Sequence, residues 1–83
     1  MSSPQELTLT QNPEELHALA IGCATMEQVN AVLTNPHCTE KTRNMLLAKI
    51  PLLKSSELAK VDKNPGQYHP DIVQVTRRKL KTG

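Results

Sequence analysis

The residues able to do chemistry are few, and their spacing is poor. His17, Cys23, His37 and Cys38 are the side chains that could in principle converge on a soft or borderline metal. They form one adjacent His-Cys pair and two singles, without the paired spacing of a zinc site. His37-Cys38 sets a base beside a thiol, but neighbouring residues rarely face each other for proton transfer. No third group is placed to orient the base. Glu14 and Glu15 are also adjacent, so on a helix their carboxylates diverge by about 100°. Ser2 and Ser3 stand at the N-terminus, and Ser55 and Ser56 read as helix caps. There is no glycine-rich phosphate loop. No catalytic residue, metal ligand or cofactor is assigned, and an enzyme is not expected.

The basic residues are the more informative set. Lys41, Arg43, Lys49, Lys54, Lys60, Lys63, Arg77, Arg78, Lys79 and Lys81 are all ten of them, and none precedes position 41. Residues 1–40 carry five acids and so a net −5, while residues 41–83 carry +7 within the overall +2. Such polarity points to an acidic partner, or to nucleic acid, for the basic end. Part of it also complements helix C-termini, where cations suit the macrodipole. Arg77, Arg78, Lys79 and Lys81, with Lys41 and Arg43, are the candidate partner-binding residues.

These side chains must be positioned by helices. Asn12 is a candidate N-cap, Pro13 suits the first helical position, and Glu14 and Glu15 fill the first turn. Leu16, Leu19, Ala20 and Cys23 fall on one face of that helix, which Gly22 ends or kinks. Thr25-Met26-Glu27-Gln28 reads as a capping box opening a second helix. Met26, Val29, Val32 and Leu33 form its apolar stripe, and Asn35-Pro36 stops it. A third helix starts near Thr39, carries Thr42, Met45 and Leu46, and ends or bends at Pro51. Leu52 and Leu53 are expected as a buried corner before a fourth helix from Ser55 or Ser56. A turn over 62–66 leads to a fifth helix, capped by His69, with Ile72, Val75, Thr76 and Leu80 inward. Nothing alternates with period two. The expected fold is all-α, with about five short helices, as stacked hairpins or a small irregular bundle. Residues 1–11 are expected as a flexible segment or a cap, and residues 12–83 as one domain. Leu7 and Leu9 would close the open end of the core or anchor a partner.

Asn-Pro recurs at Asn12-Pro13, Asn35-Pro36 and Asn64-Pro65, at spacings of 23 and 29 residues, each time followed by a helix. The segment Val29-Asn30-Ala31-Val32-Leu33-Thr34-Asn35-Pro36 resembles the leucine-rich variant repeat family at its helix and Asn-Pro turn. Residues 73–80 are similar to the helix that follows, so the resemblance spans roughly residues 12–81. It implies short helix pairs of about two dozen residues stacked into a right-handed superhelix. The cysteine-rich iron–sulfur segment of one family member has no counterpart here, and no cofactor is carried over. A short helix pair cannot bury its own apolar face, so neighbours must stack whatever the lineage.

At 83 residues, with Tyr68 its single aromatic and no Trp or Phe, the chain must build its core from aliphatic residues and Met. That excludes an aromatic cage or a base-stacking sheet. No stretch approaches a membrane span, and the N-terminus has no basic or apolar leader. The expected setting is a reducing cytoplasm, or a host cell reached by a route without a sequence signal. The expected function is a non-catalytic protein-binding module of adaptor, inhibitor or effector type, with self-association through exposed ends also expected. The alternative is nucleic-acid binding. Residues 25–50 have a helix-turn-helix outline, with Lys41 and Arg43 opening the second helix, and the basic terminal helix would add phosphate contacts.

Overall fold

The computed structural model describes residues 4–82; Met1, Ser2, Ser3 and Gly83 lie outside them. The fold is all-α, with no strand among the described residues. Six helices follow in order: α1 Pro4–Leu9, α2 Pro13–Ile21, α3 Met26–Thr34, α4 Glu40–Lys49, α5 Ser55–Lys63 and α6 Pro70–Thr82. Short 3₁₀ turns at Ile50–Leu52 and Pro65–Gln67 precede α5 and α6. No helix is long and apolar enough to cross a membrane.

Helix starts follow the sequence closely. The Asn12 side chain accepts from the Glu14 and Glu15 amides at 2.9 and 3.3 Å, and Pro13 takes the first position of α2. The capping box of α3 is complete: Thr25 Oγ1 accepts from Gln28 N, and Gln28 Oε1 accepts from Thr25 N. Thr39 caps α4 through the Thr42 amide. His69 Nδ1 accepts from Asp71 N at 3.1 Å at the head of α6. α5 starts at Ser55 as expected, but the serine cap expected there is not formed. Ser55 is its first helical residue, Lys54 precedes it, and no side chain caps it.

The packing has two layers. α2, α4 and α6 lie side by side in one, and α1, α3 and α5 in the other. Contacts of α2 with α3 and of α5 with α6 join the layers. Each Asn-Pro pair stands where the chain leaves the α1, α3, α5 layer for the other. α2 and α4 run parallel, since His17 meets Thr42 near their starts and Lys49 meets Ile21 at their ends. The radius of gyration is 11.8 Å, matching the roughly 12 Å of a compact chain of this length.

The core fills the space between layers. Leu7, Leu16, Met26, Val29, Val32, Leu46, Ile50, Val61 and Ile72 have no exposed surface. Thus α1, from a segment expected to be flexible or a cap, supplies a fully buried leucine, while Leu9 beside it is 68% exposed. Two further expectations are corrected. Leu52 is 83% exposed rather than part of a buried corner, because the 3₁₀ turn aims Ile50 inward and Leu52 out. Leu80 is 44% exposed rather than inward; it sits in the last turn of α6, which at 13 residues is longer than the 10-residue α4 and 9-residue α5 it packs against.

Candidate functional site: the exposed side of the last helix

α6 is the longest helix, at 13 residues, and carries the strongest separation of apolar from polar faces in its sequence. Ile72 and Thr76 are buried against the rest of the molecule, and Val73 and Val75 pack at the edge of the core. Arg77, Arg78, Lys79 and Lys81 are exposed. Arg77 Nε lies 3.9 Å from Asp62 Oδ1 at the end of α5, a long pair between groups both more than half exposed. Among the described residues, Arg78, Lys79 and Lys81 have no acidic partner within salt-bridge distance. Leu80 lies within that basic turn, so an apolar surface is edged by uncompensated positive charge.

Lys41 and Arg43 stand elsewhere, in the first turns of α4. Lys41 lines a shallow cavity of about 270 Å³ with Pro13, Glu14, His17 and Thr39, so an acid shares its surroundings. His17 Nδ1 is 2.7 Å from the hydroxyl of the buried Thr42, which holds the imidazole against α4. No hydrogen bond or ion pair links Lys41 or Arg43 to the basic turn of α6. α3 and α4, the two helices of the helix-turn-helix outline, belong to different layers. α3 packs on α1, α2 and α5, whereas α4 packs on α2 and α6.

The four potential soft ligands are not gathered. Cys23 follows the end of α2 and Cys38 precedes the start of the parallel α4, so the thiols sit toward opposite ends of that pair. Both are free. Burial pushes the Cys23 thiol above its ordinary pKa against the opposing charge of Lys49. Burial raises Cys38 as well, against Arg43. Among the described residues no three His, Cys, Asp or Glu side chains are grouped to hold a metal.

Two arrangements escaped sequence reasoning. The first is Glu57, only 7% exposed. Its Oε1 accepts from Met26 N at 2.9 Å, across from α5 to the start of α3, and its Oε2 accepts from Lys60 Nζ at 3.1 Å. Burial raises its pKa, but the Met26 amide and the charges of Lys60 and Lys54 outweigh that and hold it below the usual value. Lys60 also reaches Glu27 at 3.8 Å. The second is Tyr68, half-buried between two surface clefts. One, of about 370 Å³, lies between α1, α3 and the corner and includes Glu27, Asn30 and Gln67. The other, of about 720 Å³, is lined by Pro65, Gly66, Tyr68, Pro70, Val73, Gln74 and Arg77. Asn30 Oδ1 accepts from His69 N at 2.8 Å and pins this corner to α3. The signal for it was the single aromatic residue set among Pro65, Gly66 and Pro70. Comparison with protein-family models, with curated proteins and with solved structures gives no match to this chain.

Proposed function

We propose that the chain is a small, non-catalytic protein-binding module of adaptor, inhibitor or effector type, built on helical repeats like those of the leucine-rich variant family. It presents the basic end of α6 to an acidic patch on a partner protein. The observation that carries this reading is the trio Arg78, Lys79 and Lys81, exposed, without acidic partners among the described residues, around the half-exposed Leu80. An apolar anchor edged by charge is the common anatomy of a protein contact: the anchor supplies affinity, and the charges steer encounter and choose the partner. The two-layer stacking supports the repeat reading, with each Asn-Pro pair at the same kind of crossing between layers.

The test is affinity capture from the native cell with crosslinking, repeated with Arg78→Ala, Lys79→Ala and Lys81→Ala combined. Capture of a protein with an acidic surface, crosslinked at 78–81 and reduced at least tenfold in the variant, is the expected outcome. Recovery of nucleic acid, with binding that falls steeply as salt rises, would replace this reading by the nucleic-acid one. Capture that ignores the substitutions would reject the basic turn as the contact.

A further inference from the structure

We infer that the cleft beside α6 is a docking groove for an acidic amphipathic helix of a partner protein. The inference rests on the protein-binding reading above and gives that partner a chemistry and a second point of contact. Pro70, Val73, Gln74 and Arg77 are spaced i, i+3, i+4 and i+7 along α6, so they form one stripe on its surface. The corner Pro65, Gly66 and Tyr68 makes the opposite wall. The groove holds about 720 Å³, within the range of sites that bury a bound group.

Its shape fits a helix. α6 is the last helix of its layer, with α4 on one side, and among the described residues no other helix contributes to the lining of the groove. An amphipathic helix laid in a groove is recognised by anchors at the same spacing. Its charge fits an acid. Among the described residues, Arg77 is the one charged side chain lining the groove, and its ionic contact is the long, exposed one to Asp62. Arg78 and Lys81 continue the positive surface along α6. A partner helix with an apolar stripe over Val73 and Tyr68, and a carboxylate at the Arg77 end, satisfies both walls.

Gly66 gives a clean way to close the groove. Its φ is not positive, and a Cβ built there meets nothing within 4 Å. Gly66→Leu therefore fills the open space without disturbing the fold, and unchanged thermal melting will establish that. The probes are two synthetic helices of about 14 residues, long enough for measurable helicity. One is composed of Leu, Ala and Glu, and the other has Lys in place of every Glu. Each is titrated into the full chain while backbone amide shifts are followed by NMR. The acidic helix should shift amides across residues 65–77, and the basic helix should not. Gly66→Leu and, separately, Arg77→Glu should each weaken the acidic helix at least tenfold. Absence of shifts at 65–77, equal response to the basic helix, binding untouched by Gly66→Leu, or a shift pattern explained by self-association would each overturn the groove. Failure of the two readings is distinguishable. A native partner lost on replacing Arg78, Lys79 and Lys81 but indifferent to Gly66→Leu leaves the basic turn standing and removes the groove.

Discussion

Asn35 carries more of the fold than its place in an Asn-Pro turn suggested. It is 3% exposed. Its Nδ2 donates to the carbonyls of Leu7, Thr8 and Thr10 at 2.8, 3.3 and 2.8 Å, and its Oδ1 accepts from His37 N at 2.8 Å. Carbonyls at a helix end lie beyond the reach of a following turn, and one amide from the far end of α3 donates to those at the end of α1. Asn35→Ala should cost about 2–3 kcal/mol in urea unfolding, since it strips partners from several covered groups. Amide exchange at Leu7–Thr10 should rise more than in the rest of the chain. Thr76 is the reverse case. Its hydroxyl is buried and has no hydrogen-bond partner. Thr76→Val keeps the shape and removes an unpaid desolvation, so stability should stay level or rise by about 1 kcal/mol. The two thiols should also separate in the native state. Cys38 is half-buried and Cys23 buried. A thiol reagent should label Cys38 first, reaching Cys23 only on unfolding. Labelling should quicken as pH rises toward and beyond the ordinary thiol range, because burial holds both pKa values up.

Helix starts were legible because they depend on local chemistry. Asn12, Thr25, Thr39 and His69 each cap the helix that follows using residues two or three positions on. α1 was not legible. It is six residues long, and its place in the fold comes from Leu7, which inserts into the core, and from Asn35, which holds its carbonyls. The cap of α5 was not legible either, since two serines advertised one that tertiary structure did not use. Glu57, three places into the helix, turns instead to another element. Its carboxylate sits at the N-terminus of α3, where it satisfies an end amide and complements the helix dipole. The pH consequence has a definite sign. The folded pKa is lowered, so the stabilisation is full above the unfolded value of about 4.3 and is lost as pH falls through the folded value. Glu57→Gln should cost about 1–2 kcal/mol at pH 7. Urea midpoints of the two proteins should converge below the usual carboxylate range. A gap that persists at low pH would assign the loss to shape rather than charge.

Across the whole molecule, the polarity between an acidic first half and a basic second half is partly consumed by folding. Stacking in two layers sets residues far apart in sequence side by side, which a linear reading could not place. Lys49 donates to the carbonyl of Ile21 at the end of α2, a helix with no basic residue of its own in its last turn. Lys60 lies between Glu57 and Glu27, and Lys41 shares a cavity with Glu14. Of the cations without such neighbours among the described residues, Arg43 and Lys63 stand singly, while Arg78, Lys79 and Lys81 cluster in one turn of α6. These two groups of cations should therefore behave differently when neutralised. Lys49→Gln removes the cation at a helix C-terminus and should cost about 0.5–1 kcal/mol. Replacing Arg78, Lys79 and Lys81 together by Gln has opposing effects. Each loses some attraction to the C-terminal dipole of α6, worth about 0.3–1 kcal/mol. Repulsion also disappears from Arg77 and Lys81 at i, i+4 and from Arg78 and Lys81 at i, i+3, worth a few tenths of a kcal/mol per pair. At moderate salt each attraction falls at the low end of that range, so the net change in unfolding free energy should stay within about 1 kcal/mol for three charges removed, and each then costs less than Lys49 does alone. Urea titration of the two variants at low and moderate salt measures this directly. A large loss in the triple variant would mean that the basic turn supports the fold, and its charges would then be spent within the chain rather than on a partner.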